Sequence, residues 1–445
     1  MGSAEAAMRA MRMALLAGAL CLASARAAMA LDAATEQELG QRVAAIEPQL
    51  IAWRRDIHQH PELSGQEART AALVVAHLQR LGLAVTTGVG GTGVVGVLVG
   101  AHPGKVVALR ADMDALPVTE MVELPFTSHA TGLNMGKETG VMHACGHDGH
   151  TAILMAVAEV LSGMKSRLHG TVKFIFQPAE EGYSRPPRVA DEHIGARAMI
   201  DAGVLENPHV DAIFGLHLVA ALPAGVIGYR SGPLMASGDA FTLKVTGRQT
   251  HGAMPWNGVD PIVASAQIIL GLQTIVSRQV NIAVQPAVLS IGSIHGGNRE
   301  NIIPDSVDML GTLRTYDDGM RDDMVNRMRA TSESIARASG ATAELGLGPT
   351  HYPTTVNDVA LTAQMLPTLS RVVQGNIREV PKVTASEDFS EYQKRVPGVF
   401  FFVGSTAPGI DPASAPSNHS PLFRVDESSL PVGVRALAAL ALDYR

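Results

Sequence analysis

Segments with strand-forming residues alternate with helical segments in the first half of the chain, and this alternation restricts the fold more than any other feature. The helical stretch at residues 151–165 separates two pairs of such runs, each bounded by turn residues. The runs are residues 94–99, 105–110, 171–177 and 211–218. Strands that alternate with helices predict an α/β sheet with helices on both faces.

Helical periodicity is clearest before the first of these strands. Apolar residues recur every three or four positions from Val43 to Ile57, which predicts a helix over residues 37–59 that ends at His60 and Pro61. A second helix carries Val75 and leads to a glycine at position 82. These two helices are expected to cover the sheet.

The order of predicted elements changes after residue 235. A strand, a helix, two strands, a helix and a strand follow one another, which is the βαββαβ order of the ferredoxin-like unit. These elements are predicted at residues 241–246, 260–278, 288–294, 306–315, 320–339 and 341–345. A helix at 358–373, a buried strand at 399–403 and a final helix at 427–444 would complete the larger domain. We therefore predict a discontinuous domain of residues 31–235 and 348–445 with a satellite domain inserted at 236–347.

Polar side chains follow the predicted strands where each strand ends. Asp112 and Asp114 follow the second strand, Glu180 and Glu181 follow the third, and His217 comes near the end of the fourth. In open α/β sheets, ligands bind beyond the carboxyl ends of the strands. These side chains are therefore expected to converge.

Cys145 lies in a segment, MHACGHDGH at residues 142–150, that carries three histidines and an aspartate. The sequence has two cysteines, and removal of a predicted leader that contains Cys21 leaves Cys145 alone. A thiol without a disulfide partner among histidines is typical of a transition-metal site. The alternative is a small buried cysteine beside residues that cap a helix.

Two adjacent carboxylates, Glu180 and Glu181, follow a strand in the segment QPAEEG. Neighbouring residues on a loop point in different directions, so one carboxylate can bind metal while the other transfers protons. A solvated turn is the alternative. Adding His217 and His419 to Cys145, His147 and Glu181 supplies enough nitrogen, sulfur and oxygen donors for two ions of the zinc class.

Composition and charge exclude some classes of function. Hydrophobic residues make up 46% of the chain and charged residues 17%, and the formal charge is −7 with no run of lysine or arginine. This is the composition of a globular protein with a large core, and it offers no electrostatic surface for nucleic acid.

Residues 1–30 have the pattern of a secretory signal peptide. Arg9 and Arg12 precede an apolar run at residues 13–23, and the small residues Ala28 and Ala30 flank Met29. Such a peptide would direct the protein to the periplasm or the medium, and its cleavage would leave Leu31 as the first residue of the mature protein. A membrane anchor needs about 18 uninterrupted apolar residues, and the run at residues 13–23 is shorter. We therefore expect a signal peptide and not an anchor, and no stable membrane span after cleavage.

Four motifs together resemble the amidohydrolase branch of the aminoacylase/carboxypeptidase clan of binuclear-zinc enzymes. They are HPELS at residues 60–64, RADMDALP at 110–117, CGHDGH at 145–150 and QPAEEG at 177–182. The branch includes hippurate hydrolases, indole-acetyl-amino-acid hydrolases and N-acyl-amino-acid amidohydrolases. The resemblance extends from His60 to His419.

The resemblance implies a zinc-exopeptidase-like catalytic domain and a satellite that serves as lid and dimerisation domain. It also implies one or two divalent ions, zinc in the first place, with manganese and cobalt as alternatives. The clan has a His-x-Asp ligand motif where this chain has Arg110 and Asp112, so Arg110 cannot bind metal and Asp112 is expected to orient a ligand. The implied metal ligands are Cys145, His147, Glu181, His217 and His419.

Catalytic and substrate-binding roles are implied for four further residues. Glu180 matches the general base, and His251 matches the histidine that contacts the reacting carbonyl oxygen. Asn301 and Arg314 match groups that hold the carboxylate of the substrate, a task that suits the planar fork of arginine. For Arg314 the alternative is a surface charge on a strand.

The expected reaction is hydrolysis of the amide bond of an N-acyl amino acid, which releases a carboxylic acid and a free amino acid. Substrates such as hippurate, indole-acetyl conjugates or ochratoxin A fit this class, and a detoxifying role would follow. A metallo-aminopeptidase or dipeptidase is the enzymatic alternative, and a periplasmic metal- or solute-binding protein is the non-enzymatic one. We also expect a homo-oligomer, in which His251 serves either its own active site or that of a neighbour.

Overall fold

The computed structural model describes residues 31–185 and 192–445. The predicted signal peptide, residues 1–30, lies outside the described residues. The helices, numbered here in chain order, are α1 (Ala33–Gln59), α2 (Ala68–Arg80), α3 (His147–Gly163), α4 (Gly195–Asp201), α5 (Pro261–Thr274), α6 (Asp318–Ala338), α7 (Val359–Val372), α8 (Phe389–Gln393) and α9 (Leu430–Asp443).

The strands are distributed over one large sheet, one smaller sheet and three strand pairs in the described part of the chain. They are β1 (Ala84–Val89), β2 (Gly93–Val99), β3 (His102–Asp112), β4 (Thr131–Asn134), β5 (Lys137–Gly140), β6 (His169–Gln177), β7 (Ala212–Pro223), β8 (Ile227–Tyr229), β9 (Gly232–Met235), β10 (Gly238–Thr246), β11 (Thr250–His251), β12 (Val288–Gly296), β13 (Ile302–Ile303), β14 (Ser306–Arg314), β15 (Thr342–Tyr352), β16 (Thr355–Asn357), β17 (Ile377–Glu379) and β18 (Gly398–Thr406).

The predicted α/β sheet is confirmed. Within the described residues its eight strands lie in the order β1-β2-β6-β3-β7-β18-β8-β17. The inner strands β6, β3, β7 and β18 are parallel, and antiparallel strands border them. Successive side chains of a strand point to opposite faces. Accordingly, Leu109 belongs to a core that includes residues of α1, α2, α3, α7 and α9, whereas its neighbour Ala108 belongs to a second core that includes residues of α4 and α8.

Two helices begin earlier than their hydrophobic periodicity predicts. Helix α1 begins at Ala33 because the side chain of Asp32 accepts a hydrogen bond from the backbone N–H of Thr35 at 2.7 Å, which caps the helix. Helix α3 begins at His147, directly after Gly146, whose φ of 99° only glycine adopts readily. The polar residues of the CGHDGH motif therefore lie in the first turn of a buried helix.

Strand β7 continues to Pro223, five residues beyond its predicted end at residue 218. The extension pairs with β18, where Phe402 lies opposite His217 and Thr406 lies opposite Pro223. His217 is therefore inside a strand and not at its end. By contrast, β3 ends at Asp112 and β6 ends at Gln177, just before the two glutamates.

The satellite domain is a ferredoxin-like unit, as its βαββαβ order predicts. Its four antiparallel strands, which all lie in the described range 192–445, have the order β12-β14-β10-β15. Helices α5 and α6 pack on one face of this sheet, where Phe241, Met309 and Met328 belong to a separate core. The last strand, β15, runs on to Tyr352.

Helix α5 and the turn after it are apolar on both sides. Among the described residues, the segment Pro261–Gln279 is long and apolar enough to cross a membrane by length and composition alone, although such a helix also occurs in cores. Ala264, Ile268 and Leu272 are buried in the satellite core. Val263 and Leu270 on the opposite side are 54% and 71% exposed.

Candidate active site

The thiol of Cys145 lies between two imidazole rings that come from distant parts of the chain. Its Sγ is 3.2 Å from Nε2 of His217 on β7 and 3.2 Å from Nε2 of His419 in the loop after β18. Cys145 and His217 are buried, whereas 55% of the His419 side chain is exposed. The predicted ligands from three segments therefore meet at one sulfur atom.

Hydrogen bonds at the far side of two rings leave the near nitrogen free to bind an ion. Nδ1–H of His217 donates to the carbonyl oxygen of Leu218 at 2.9 Å, and Nδ1–H of His147 donates to the carbonyl oxygen of Asp114 at 2.8 Å. With the proton assigned to Nδ1, each Nε2 presents a lone pair. Metal-binding histidines are held in this way in other proteins.

The second histidine of the CGHDGH motif, His150, is not available to a metal ion. Its Nδ1–H donates to Oδ1 of Asp112 at 2.6 Å, and its Nε2 accepts the backbone N–H of Leu218 at 2.8 Å. Both ring nitrogens are therefore occupied. His150 ties the end of β3 to the backbone beside His217.

The spacing of the donor atoms fits an ion of the zinc class. Bonds of 2.0–2.3 Å in a tetrahedron place neighbouring ligand atoms roughly 3.3–3.8 Å apart. Oε1 of Glu181 is 3.2 Å from Nε2 of His419 and 3.9 Å from Nε2 of His147. Nε2 of His147 is buried and has no hydrogen-bond partner among the described residues. The donor set of thiolate, imidazole and carboxylate fits the metal that the sequence motifs imply.

Among the clusters of potential donor side chains in the described residues, two consist of predicted ligands alone and share Cys145. One contains Cys145, His147 and His217, and the other contains Cys145, Glu181 and His419. Carboxylates of Asp112, Asp114 and Glu181 surround His147. Burial lowers the pKa of His147, but these carboxylates outweigh burial and raise it to about 10, so the site favours positive charge at Nε2.

Glu180 has a different environment from Glu181, its neighbour in sequence. Its side chain is buried, and burial together with the carboxylates of Glu387, Glu181 and Asp388 raises the pKa of Glu180 well above its usual range. The hydroxyl of Tyr352 donates to the backbone carbonyl oxygen of Glu180 at 2.6 Å. A carboxyl with a raised pKa beside metal ligands is suited to proton transfer.

Two buried carboxylates hold the loop that carries the two glutamates, through hydrogen bonds to its backbone. Ala179 has a φ of 54°, a conformation that is uncommon outside glycine. Its backbone N–H donates to Oε1 of Glu67 at 2.9 Å, and the backbone N–H of Glu181 donates to Oδ2 of Asp114 at 3.0 Å. These two buried carboxylates fix the direction in which each glutamate points.

Asp112 lies beside the donors but does not contact one closely. Its Oδ2 is 3.8 Å from Nε2 of His147 and accepts a hydrogen bond from Nη1 of Arg110 at 2.7 Å. Nη2 of Arg110 also donates to Glu387 at 2.9 Å and to Asp388 at 2.8 Å. Arg110 is buried and neutralises several carboxylates near Glu180.

Sequence reasoning missed three residues that the fold brings to this site. Glu387 and Asp388 form a second adjacent acidic pair, in ASEDF before α8, and this pairing was the signal that could have revealed them. Nδ2 of Asn418 donates to the carbonyl oxygens of Cys145 and Leu218 at 3.0 and 2.9 Å. It thereby positions the next residue, His419, whose own φ is 71°.

A cavity of about 540 Å³ opens beside the donor cluster. Cys145, Glu180, Glu181, His217 and His419 line one part of it, and mostly apolar residues line the remainder. Cavities of roughly 300–1,000 Å³ enclose small organic ligands. The site can therefore hold a small molecule with an apolar portion against the donor cluster.

The three predicted satellite residues differ in their position relative to this cavity. Nη1 of Arg314 donates to Oγ of Ser386 at 2.7 Å, and Ser386 lines the cavity. His251 and Asn301 are exposed and lie next to each other, since the backbone N–H of Gly252 donates to the carbonyl oxygen of Asn301 at 2.8 Å. Neither of them is among the residues that line the cavity of this chain.

Comparisons with known proteins identify the family of this chain. Residues 108–443 match the family described as Peptidase family M20/M25/M40. Thermostable carboxypeptidase 1 of Saccharolobus solfataricus is 41% identical over 409 residues, which cover 92% of this chain and 98% of the relative. N-acetylcysteine deacetylase of Bacillus subtilis is 38% identical over 399 residues, with 89% and 97% covered.

A solved structure has the same architecture. It is the crystal structure of the Bacillus subtilis YXEP protein, described as a dinuclear metal binding peptidase from the M20 family. It matches with a TM-score of 0.72 and 36% identity, and the match covers 90% of this chain and 98% of that one. The resemblance inferred from the four sequence motifs is confirmed. The chain belongs to the M20/M25/M40 peptidase family, in its amidohydrolase branch, and is a metal-dependent hydrolase.

Proposed function

We propose that this enzyme hydrolyses the amide bond of N-acyl amino acids and releases a carboxylic acid and a free amino acid. The observation that carries the proposal is the buried carboxyl of Glu180 beside the Cys145 donor cluster, where both line a cavity with an apolar portion. N-acetylcysteine deacetylase, a relative at 38% identity, is named for a reaction of this class.

The proposed ligands are Cys145, His147, Glu181, His217 and His419, and the proposed metal is zinc, with one or two ions in each subunit. The two donor groups that share Cys145 support two ions, and thiolate with imidazole favours zinc over harder cations. When bound, such an ion polarises an amide carbonyl and lowers the pKa of a water molecule. Manganese and cobalt are the alternatives that metal analysis would distinguish.

Glu180 is the proposed general base and then the general acid. Its carboxylate takes a proton from water in the first half of the reaction and returns a proton to the nitrogen of the departing amino acid in the second half. Burial and the neighbouring carboxylates raise the pKa of Glu180 well above its usual range, which supports a role in proton transfer.

Arg314 is proposed to bind the carboxylate of the substrate. Its Nη1 donates a hydrogen bond to Oγ of Ser386, which lines the cavity. Asn301 is proposed to assist it, and His251 to contact the carbonyl oxygen and stabilise the oxyanion. Because neither of these two lines the cavity of its own chain, we propose that they serve the active site of a second subunit.

A homo-oligomer is therefore part of the proposal. Val263, Ala266 and Leu270 lie at helical spacing on the exposed side of α5 and form an apolar stripe. Exposed apolar patches on satellite domains are suited to pairing with a second copy. Sedimentation analysis of the wild type and of Leu270→Asp tests this, with a smaller assembly expected for the variant.

The substrate class is tested by three related compounds. An N-acyl amino acid, its carboxyl-amidated form and an unblocked dipeptide are assayed with the metal-loaded enzyme. We expect hydrolysis of the first, at least roughly tenfold lower kcat/KM for the second because Arg314 loses its partner, and little reaction with the third. Preference for the unblocked dipeptide would instead identify a dipeptidase or aminopeptidase.

We also propose that the protein is exported and acts on amides outside the cytoplasm, as a scavenging or detoxifying enzyme. The support is the pattern of residues 1–30, with Arg9 and Arg12 before an apolar run and alanines at 28 and 30. Expression of the full chain, cell fractionation and amino-terminal sequencing test it. A mature protein that begins at Leu31 is the expected result.

A further inference from the structure

The cavity beside Cys145 and Glu180 has an apolar portion formed by three side chains of the main sheet. Leu222 lies near the end of β7, Phe402 lies on β18, and Val380 directly follows β17. All three line the cavity. We refer to Leu222, Val380 and Phe402 as the apolar wall.

Gly228 lies behind the apolar wall. It belongs to β8, between β18 and β17, and is paired with Phe402. A Cβ atom at this position would lie 2.7 Å from Cδ1 of Leu222, 2.8 Å from Cγ1 of Val380 and 3.4 Å from Cβ of Phe402. The three wall residues therefore pack against the backbone of a glycine.

The absence of a side chain at Gly228 is not required by its backbone. Its φ lies outside the left-handed region that favours glycine, and its position in a strand is one that alanine adopts readily. The two closest atoms are side-chain methyl groups, which move more easily than backbone. Since Leu222 and Val380 lie between Gly228 and the cavity, an added methyl group displaces them toward the cavity.

We propose that Gly228 determines the width of the substrate pocket, so that the enzyme accepts a bulky apolar substituent, about the size of a fused aromatic ring, against the apolar wall. This inference rests on the proposed hydrolysis of N-acyl amino acids. The substituent comes from either the acyl group or the amino-acid side chain, and both have the same chemistry at this wall. A small acyl group such as acetyl, on a small amino acid, would leave the wall uncovered.

Three substrates distinguish the two sources. N-acetylalanine is small on both sides, N-(2-naphthoyl)alanine is bulky in the acyl group, and N-acetyl-naphthylalanine is bulky in the side chain. We expect the wild-type, metal-loaded enzyme to have the highest kcat/KM for one of the two naphthyl compounds. That compound identifies which part of the substrate contacts the apolar wall.

The variant Gly228→Ala tests the role of the glycine. One methylene in an apolar pocket changes kcat/KM by about 10- to 200-fold, so we expect a loss of at least roughly tenfold for the preferred naphthyl compound. Activity on N-acetylalanine is expected to stay within about twofold. Leu222→Ala in the same protein removes the closest methyl group that the new Cβ meets but leaves the contact with Val380, so it should recover part of the loss.

Gly40→Ala is the matched control, because a Cβ at Gly40 in α1 meets no atom within 4 Å. Should Gly228→Ala yield no folded protein, Leu222→Phe narrows the pocket without it and should produce the same selective loss. An equal loss on small and bulky substrates, with metal content and unfolding temperature unchanged, would overturn the role of Gly228. A wild type that prefers N-acetylalanine overturns the pocket proposal alone, whereas hydrolysis of none of the three overturns the proposed function as well.

Discussion

Oε1 of Glu67 accepts the backbone N–H of Ala179 at 2.9 Å and so holds the residue that precedes Glu180. Both partners are buried, and Ala179 has a positive φ of 54°. Because the two glutamates follow directly, a contact between the residue before α2 and this loop determines the direction of the proposed base and of a proposed ligand. Glu67 lies far from them in sequence and carries no recognisable motif.

Glu67→Ala is expected to lower kcat by roughly tenfold or more, because a loosened loop misplaces Glu180. It also leaves a buried N–H without an acceptor, which costs about 1–3 kcal/mol of the free energy of unfolding. Burial and Asp114 raise the pKa of Glu67 to about 7, so the neutral amide of Glu67→Gln is a close mimic and should retain most activity. Steady-state kinetics and urea unfolding measure both effects.

Glu138→Ala serves as the control for this pair, since Glu138 is exposed. If Glu67→Gln proves as damaging as Glu67→Ala, the acceptor at Oε1 is not what holds the loop.

Metal dependence is the second prediction. A chelator should abolish hydrolysis, and added zinc should restore it. Cys145→Ala removes the sulfur atom that both donor groups share, so we expect a loss of bound metal and at least roughly tenfold lower activity. Metal content by mass spectrometry and kcat/KM are the measurements. Full metal content together with full activity in Cys145→Ala would remove this residue from the ligand set.

The third prediction separates the two adjacent glutamates. Glu180→Gln should retain metal and lose roughly 10²-fold or more in kcat, because an amide cannot transfer the proton. Glu181→Gln should lose metal, because Glu181 lies 3.2 Å from His419 within the donor cluster. Metal analysis and kinetics of both proteins are compared side by side. Equal loss of metal in the two variants would contradict the division of roles.

The fourth prediction concerns the partner subunit. Glu180→Gln and His251→Ala are each expected to be inactive alone. Mixed oligomers should regain activity if His251 enters the neighbouring cleft, because some sites then combine an intact Glu180 with an intact His251 from the other chain. Co-expression with two affinity tags isolates the mixed species. Inactive mixed oligomers of proven composition would show that His251 does not act across the interface.

The fifth prediction concerns acid stability and His77. Its Nε2–H donates to the carbonyl oxygen of Met155 at 2.9 Å, and burial lowers the pKa of His77 from 6.5 to about 4. Between these values the unfolded chain binds a proton that the folded chain does not. The free energy of unfolding therefore falls as the pH falls from about 6.5 to about 4, with up to about 1.4 kcal/mol per pH unit from this residue.

His77→Gln keeps a donor for Met155 and cannot titrate, so its unfolding free energy should depend less steeply on pH in that range. Chemical unfolding at several pH values measures the two slopes, and identical slopes would rule out His77 as a contributor.

The sequence by itself determined the helices and strands and the types of side chain that form the site. Apolar residues that recur with a period of 3.6 indicate a helix, and those that recur with a period of 2 indicate a strand. Both patterns can be read over a short stretch of sequence, so the α/β sheet and the ferredoxin-like satellite were predictable from the order of these elements. The cluster at residues 143–150 and the pair at 180–181 indicated metal chemistry because such donors rarely occur together without a role. Element ends were less predictable, since α3 begins at His147 and β7 extends to Pro223.

Only the tertiary structure decided which of these side chains are free to bind a metal ion or to transfer a proton. His150 and His147 are three residues apart in one motif, yet both ring nitrogens of His150 are hydrogen-bonded, to Asp112 and Leu218, whereas Nε2 of His147 has no hydrogen-bond partner in the described part of the chain. Glu67 and Gly228 carry no local signal at all. Their roles depend on contacts with Ala179 and Leu222 that strand and helix packing creates over long sequence separations, and no local pattern encodes such contacts.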